Sequence, residues 1–139
     1  MKIYLAGKYS RKEELIGYAK ELAELGHSVV SSWLWTSLDD PQAKEVEVAT
    51  ESVPQLAGEV FALWDMIDLY NADMLVSFTE PVRGENKDRG GRHVELGVAL
   101  ARGMMIIIVG PRENVFYCHP DVEAVATWED AKKMLSQYI

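Results

Sequence analysis

The chain has 139 residues, 48% of them hydrophobic and 26% charged, the size and balance of one compact domain over residues 1–139. A formal net charge of -8 argues against the broad basic footprint of a nucleic-acid-binding protein, yet leaves room for a small anionic ligand at a locally positive site. The lone Cys118 cannot close an internal disulfide, the opening apolar stretch is too short for a signal peptide, and no apolar run approaches the roughly 20 residues of a membrane span. A cytoplasmic protein without membrane attachment is expected. His27, His93, His119 and Cys118 lack paired ligand spacing, so a bound zinc is not expected, and no other cofactor is expected either.

Strand and helix signals alternate along the chain. Lys2 to Ala6 reads as a strand, and Ser10-Arg11-Lys12-Glu13 matches a capping box opening a helix to about Leu25, with Gly26 as its stop. A second strand is expected over Ser28 to Ser32. The polar stretch from Thr36 to Thr50 fits a loop or a short helix over a site. Ser52 with Gln55 then offers another cap, and Leu56, Val60, Leu63, Ile67 and Tyr70 form a helical stripe ending near Asn71. Asp73 to Phe78 is the third strand and Met105 to Val109 the fourth, stopped by Gly110-Pro111. Val122 to Ala126 makes a fifth, after which Thr127 caps a last helix running toward Tyr138. This alternation predicts an α/β fold, a parallel sheet with helices on both faces and ligands bound beyond the carboxyl ends of the strands.

The run Asp88-Arg89-Gly90-Gly91-Arg92-His93-Val94-Glu95-Leu96-Gly97 is the most informative segment. Glycines Gly90 and Gly91 let backbone approach a ligand, and the N–H groups of a helix start point at any anion held there. Val94, Leu96, Val98, Ala99, Leu100 and Ala101 are apolar almost all round, which predicts a largely buried helix and makes Glu95, read as a first-turn carboxylate, conspicuous. Arg83, Lys87, Arg89 and Arg92 form a basic cluster in an acidic chain. The P-loop and G-x-G-x-x-G fingerprints are both missing, as is a G-x-S-x-G elbow. Carboxylate chemistry remains: Asp65, Asp73 and Glu95 lie at or near element ends, and paired carboxylates with separated pKa values can divide nucleophile and acid roles.

Three segments taken together resemble the nucleoside 2-deoxyribosyltransferase family, including its deoxynucleoside 5′-monophosphate N-glycosidases. They are Ile3-Tyr4-Leu5-Ala6-Gly7, the pair Asp65 and Asp73 within Trp64 to Asp73, and Glu95-Leu96-Gly97-Val98-Ala99. The resemblance implies a flavodoxin-like, Rossmann-like three-layer sandwich with a five-stranded parallel sheet. It also implies cleavage of the N-glycosidic bond of a 2′-deoxynucleoside or its 5′-monophosphate through a covalent deoxyribosyl-enzyme, by hydrolysis or by transfer to another base. Carried over, Glu95 is the nucleophile, Asp73 assists the leaving base, Asp65 lies near sugar or base, and Tyr4 hydrogen-bonds the nucleophile. A homodimer or larger homo-oligomer follows from the same resemblance, with a nucleoside or nucleotide as the small-molecule partner.

The first-loop and helix-start cations favour a monophosphate, with Gly7, Ser10, Arg11, Arg89, Gly91 and Arg92 as phosphate contacts. Trp33 is a stacking candidate for the base, Trp35 its neighbour, and His93 a further substrate contact. Each has a structural rival: Asp73 as a turn cap, Asp65 as a solvated helix residue, Tyr4 as a core aromatic, Ser10 as a helix cap, Trp33 and His93 as packing. A nucleotide-binding module without turnover is the alternative on the same fold.

Overall fold

The computed structural model describes residues 1–35, 55–81 and 90–138, with residues 55–58 as helix backbone. The polar stretch from Thr36 to Thr50, the Ser52 cap and the cations Arg83, Lys87 and Arg89 lie outside the described residues. Five strands, β1 (Lys2–Ala6), β2 (Ser28–Val29), β3 (Met74–Phe78), β4 (Met105–Val109) and β5 (Val122–Val125), form one parallel sheet in the order β2-β1-β3-β4-β5. Helices α1 (Lys12–Glu24), α2 (Gln55–Asn71), α3 (Gly91–Ala101) and α4 (Trp128–Leu135) complete a three-layer α/β fold of flavodoxin-like strand order. This is the architecture expected from the alternating pattern.

Strand periodicity divides the interior into two cores. Ile3 and Leu5 of β1, Met74, Val76 and Phe78 of β3, and Ile107 and Val109 of β4 face α1 and α4, meeting Leu15, Ala19, Leu22, Trp128, Ala131 and Leu135. Their alternates, Tyr4 and Ala6, Leu75, and Ile106 and Ile108, face α2 and α3, meeting Leu69, Leu96 and Ala99. A sheet buried on both faces explains why these strands read as continuous apolar runs. No described helix is long and apolar enough to cross a membrane.

Several local expectations are corrected. The capping box does not form: Tyr9–Arg11 is a 3-10 turn, α1 begins at Lys12, and its N-cap Arg11 makes no side-chain capping bond. The second strand is two residues long instead of five, because Ser32–Trp35 turns into a 3-10 helix. Leu5 consequently loses its backbone partner on that side. Side chains replace it: Leu5 N–H donates to Ser31 Oγ at 2.6 Å, and Trp33 Nε1 donates to the Leu5 carbonyl at 2.9 Å. A buried amide and carbonyl left unmet would each be costly, so these two side chains let the chain leave the sheet early. The stripe over Leu63, Ile67 and Tyr70 is exposed, since α2 buries Leu69 instead. Thr127 caps α4 as expected, its Oγ1 accepting from Asp130 N–H.

Ser31→Ala removes the acceptor for a buried N–H and is expected to cost about 1–3 kcal/mol in urea unfolding, without change in the α/β circular dichroism signature. An unchanged midpoint would show that the Leu5 amide finds another partner.

Candidate active site

In this strand order the connections from β1 and β3 leave toward opposite faces, which opens a crevice at the carboxyl ends of those two strands. The side that α2 and α3 cover receives the Tyr4 ring from the middle of β1. Tyr4 is fully buried, and its hydroxyl, which meets no full hydrogen-bond partner among the described residues, interacts electrostatically with Glu95 on α3 and Asp65 on α2. Burial first, then the charges of Glu95 and Asp65, hold this phenol well above its ordinary pKa. It therefore stays a neutral donor between two carboxyl groups.

Asp65 is pushed up to about 6, chiefly by burial and then by the charge of Asp68, while the Tyr4 hydroxyl pulls the other way. A carboxyl group tuned toward neutrality in a crevice is the property of a proton donor. Asp68 plays a different part, accepting from Ser32 N–H at 2.8 Å and from Ser32 Oγ at 3.1 Å, which ties α2 to the turn after β2. That contact fixes the Asp65 helix against the edge of β1.

The structure thus brings together three of the four expected catalytic residues. Asp73 is not among them. It precedes β3 at the amino edge of the sheet, where its N–H donates to the Lys2 carbonyl at 2.7 Å and its Oδ2 accepts from Lys2 N–H at 2.9 Å. The pair staples the start of β1 to the start of β3, and a parallel strand carries everything that follows to the opposite edge. Glu95 is also shifted from its expected place. α3 starts at Gly91 after a left-handed Gly90 (φ 90°), so Glu95 is the fifth helical residue, beyond the first turn and its strong dipole field.

The expected phosphate contacts meet a different outcome. Arg11 is turned onto Glu14, at 2.7 and 3.0 Å, and onto Glu80 at 3.3 Å, with its guanidinium over the Phe78 ring. Arg92 is buried and donates from Nη2 to both carboxylate oxygens of Glu113, at 2.6 and 2.7 Å. The local positive field inferred from these arginines is therefore largely neutralised within the fold. Gly7 follows β1 at the crevice, where an added Cβ would come within 3.0 Å of Leu15, so close packing by itself accounts for this glycine. Ser10 stands exposed in the same loop, Gly91 is exposed at the start of α3, and Arg89 lies outside the described residues. Trp33 serves the sheet through Leu5. His93 Nδ1 pairs with the Tyr117 hydroxyl at 2.9 Å, which pins the start of α3 to the turn after β4.

Sequence reasoning passed over several residues here. Glu113 and Tyr117 anchor the helix carrying Glu95, and Lys12 is 1% exposed with its ammonium 5.1 Å from the centre of the Tyr9 ring. Ser77, on the same sheet face as Tyr4 and paired in register with Ala6, is fully buried; its hydroxyl meets no hydrogen-bond partner among the described residues. Only the odd buried serine in an apolar strand, Met74-Leu75-Val76-Ser77-Phe78, offered a signal in advance.

Known structures share this arrangement of strands and helices. A 2-deoxyribosyltransferase from Bacillus psychrosaccharolyticus matches with a TM-score of 0.65 at 20% identity, over 97% of this chain and 96% of that one. The fold is shared with a deoxyribosyl-transferring enzyme. A CMP N-glycosidase from Clostridium botulinum matches at 0.54 and 19% identity, over 99% and 97% of the two chains. A conserved protein from Enterococcus faecalis V583 matches at 0.61 and 17%, over 100% and 99%. The likeness is one of fold, and it takes in a 2-deoxyribosyltransferase and a CMP N-glycosidase. No protein-family model and no curated protein matches the sequence itself.

The raised pKa of Asp65 makes a stability prediction. Its folded-state value lies above the ordinary 3.8, so folding favours the protonated form and stability declines as pH rises from about 4 through about 6. Asp65→Asn should raise the stability at pH 7 by on the order of 1–3 kcal/mol and flatten that decline, as read by thermal melts across the window. A lower melting temperature at neutral pH would show that the carboxylate is stabilised where it sits.

Proposed function

We propose that this chain cleaves the N-glycosidic bond of a 2′-deoxynucleoside, with Glu95 as nucleophile, Asp65 as proton donor and Tyr4 as the group that positions both. The observation that carries this reading is the buried Tyr4 hydroxyl between the carboxyl groups of Glu95 and Asp65 at the β1–β3 crevice. The shared fold with a 2-deoxyribosyltransferase and a CMP N-glycosidase supports it.

In the first step a Glu95 carboxylate oxygen attacks C1′ and the C1′–N bond breaks, its electron pair leaving with the base. Asp65 gives the base a proton. The resulting deoxyribosyl ester is then opened at C1′ by water or by a second base, which distinguishes hydrolysis from transfer. Tyr4, a donor throughout, orients the Glu95 carboxylate and releases its hydrogen bond as that oxygen takes on ester character. Asp73 has no part in this scheme, since it stands at the other edge of the sheet. With Arg11 and Arg92 paired to internal carboxylates, the described residues favour a neutral nucleoside over its 5′-monophosphate.

Base release from the four deoxynucleosides and their monophosphates, with and without an added free base, tests this directly. Glu95→Ala is expected to abolish turnover, and Asp73→Ala to leave it in place. Asp65→Asn is expected to lower kcat by about 10²- to 10⁴-fold for an ordinary base, and far less for a base that leaves without protonation. With the wild-type protein, kcat should fall as pH rises through about 6 and Asp65 loses its proton, a limb that Asp65→Asn removes. Turnover that survives Glu95→Ala refutes the mechanism, and activity restricted to monophosphates refutes the substrate reading.

A further inference from the structure

Arg92 stands where an apolar residue would be expected. It is buried on the core-facing stripe of α3 that continues through Leu96 and Ala99, and its partner Glu113 is buried with it. Taking two charges out of water is costly, and apolar side chains of similar volume often serve stability as well or better, so stability alone does not account for the pair. Position does. Glu95 follows Arg92 by three residues, the spacing at which helical side chains are neighbours, with Cβ atoms about 5–6 Å apart. Because helical side chains lean toward the N-terminus, the Glu95 side chain is directed back along the turn that holds Arg92.

A nucleophilic Glu95 must be ionised, and its surroundings oppose this. Tyr4 interacts with it from β1, and α2 brings two further acids, Asp65 and Asp68, to the same phenol. The other described titratable groups of α2, Glu59 and Tyr70, are exposed. Strands β3 and β4 present no titratable side chain, and on α3 itself His93 is engaged by Tyr117. The helix dipole gives little help at the fifth residue. A cation within one turn is the remaining source of stabilisation for the carboxylate, and Arg92 is that cation.

We propose that Arg92 is a positioning residue for the nucleophile: a cation fixed in the core one helical turn ahead of Glu95, which keeps that carboxyl group ionised beside other acids. The assignment rests on the reading of Glu95 as nucleophile. Glu113 is the anchor. Both its carboxylate oxygens accept from Nη2, at 2.6 and 2.7 Å, so the guanidinium is held from the segment after β4 and does not swing onto Glu95 as a full ion pair that would occupy the attacking oxygen. At long range the pair is neutral. Within one helical turn the nearer charge prevails, because Coulomb attraction falls with distance and Arg92 shares the helix with Glu95.

Direct titration of Glu95 tests this without relying on turnover, by carbon-13 NMR of glutamate-labelled protein with the Glu95 resonance assigned from Glu95→Gln. Arg92→Met combined with Glu113→Leu replaces the pair by apolar side chains and is expected to raise the Glu95 midpoint by about 1 pH unit or more. If that variant does not fold, Arg92→Gln with Glu113→Gln makes the same comparison. Arg92→Lys, which keeps the charge, is expected to hold the midpoint near that of the wild type. Glu113→Gln, which removes only the anion, is expected to lower it. A merely structural pair would not give shifts of opposite sign from these two kinds of variant. The acid limb of kcat/KM should follow the midpoint, with about a tenfold loss per pH unit below it and little change at pH 8. A Glu95 midpoint indifferent to loss of the pair overturns the proposal, even where deoxynucleosides are cleaved. A midpoint that moves as expected in a chain that cleaves none of them supports control of Glu95 by Arg92 and refutes the nucleophile reading instead.

Discussion

Every side chain of β1 from Ile3 to Ala6 is buried, and the strand lies inside the sheet with neighbours on both edges. Its polar groups must therefore be met within the protein, and the places where they are met fix the surroundings. Ser31 and Trp33 complete Leu5 after β2 ends, Asp73 completes Lys2 at the amino edge, and Asp68 then grips the turn that begins at Ser32. One strand thereby positions α2 along with the sheet. The Tyr4 ring projects from this rigid element, so its hydroxyl is placed by the core itself.

That placement has an electrostatic cost which identifies the crevice. A neutral phenol is buried between carboxyl groups, and one of them, Asp65, is held near a pKa of 6 by burial and a neighbouring charge. Elsewhere this fold relieves its acids with cations: Glu113 is matched by Arg92, Glu14 and Glu80 by Arg11, Glu21 by Lys132. Carboxylates paired in this way serve architecture, whereas burial holds Asp65 toward its neutral form beside the Tyr4 hydroxyl.

Much of the fold was legible in the sequence. Alternating apolar runs and stop signals located all five strands to within a few residues, because a parallel sheet buried on both faces leaves little choice of residue. Glu95 and Tyr4 were legible as well, the first as a lone acid in an apolar helix and the second within a recognisable strand. Harder to read were contacts made by side chains that substitute for backbone. Nothing in the order of residues says that Ser31 would end a strand by accepting from Leu5, or that Ser10 would yield the helix start to a 3-10 turn.

By itself the sequence determined the layer architecture, the period-two division of each strand between two cores, and the candidate acids. Tertiary structure decided which acids meet. Asp65 and Asp73 are eight positions apart and chemically alike, yet a parallel strand following a helix sends one to the crevice and the other to the opposite edge. The arginines were decided in the same way, since a cation's charge is visible in sequence while the carboxylate that neutralises it, Glu113 for Arg92 or Glu80 for Arg11, comes from a distant segment. Composition fixes how much charge a chain carries; folding fixes which charges face each other, because Coulomb interactions depend on distance in space and not on distance along the chain.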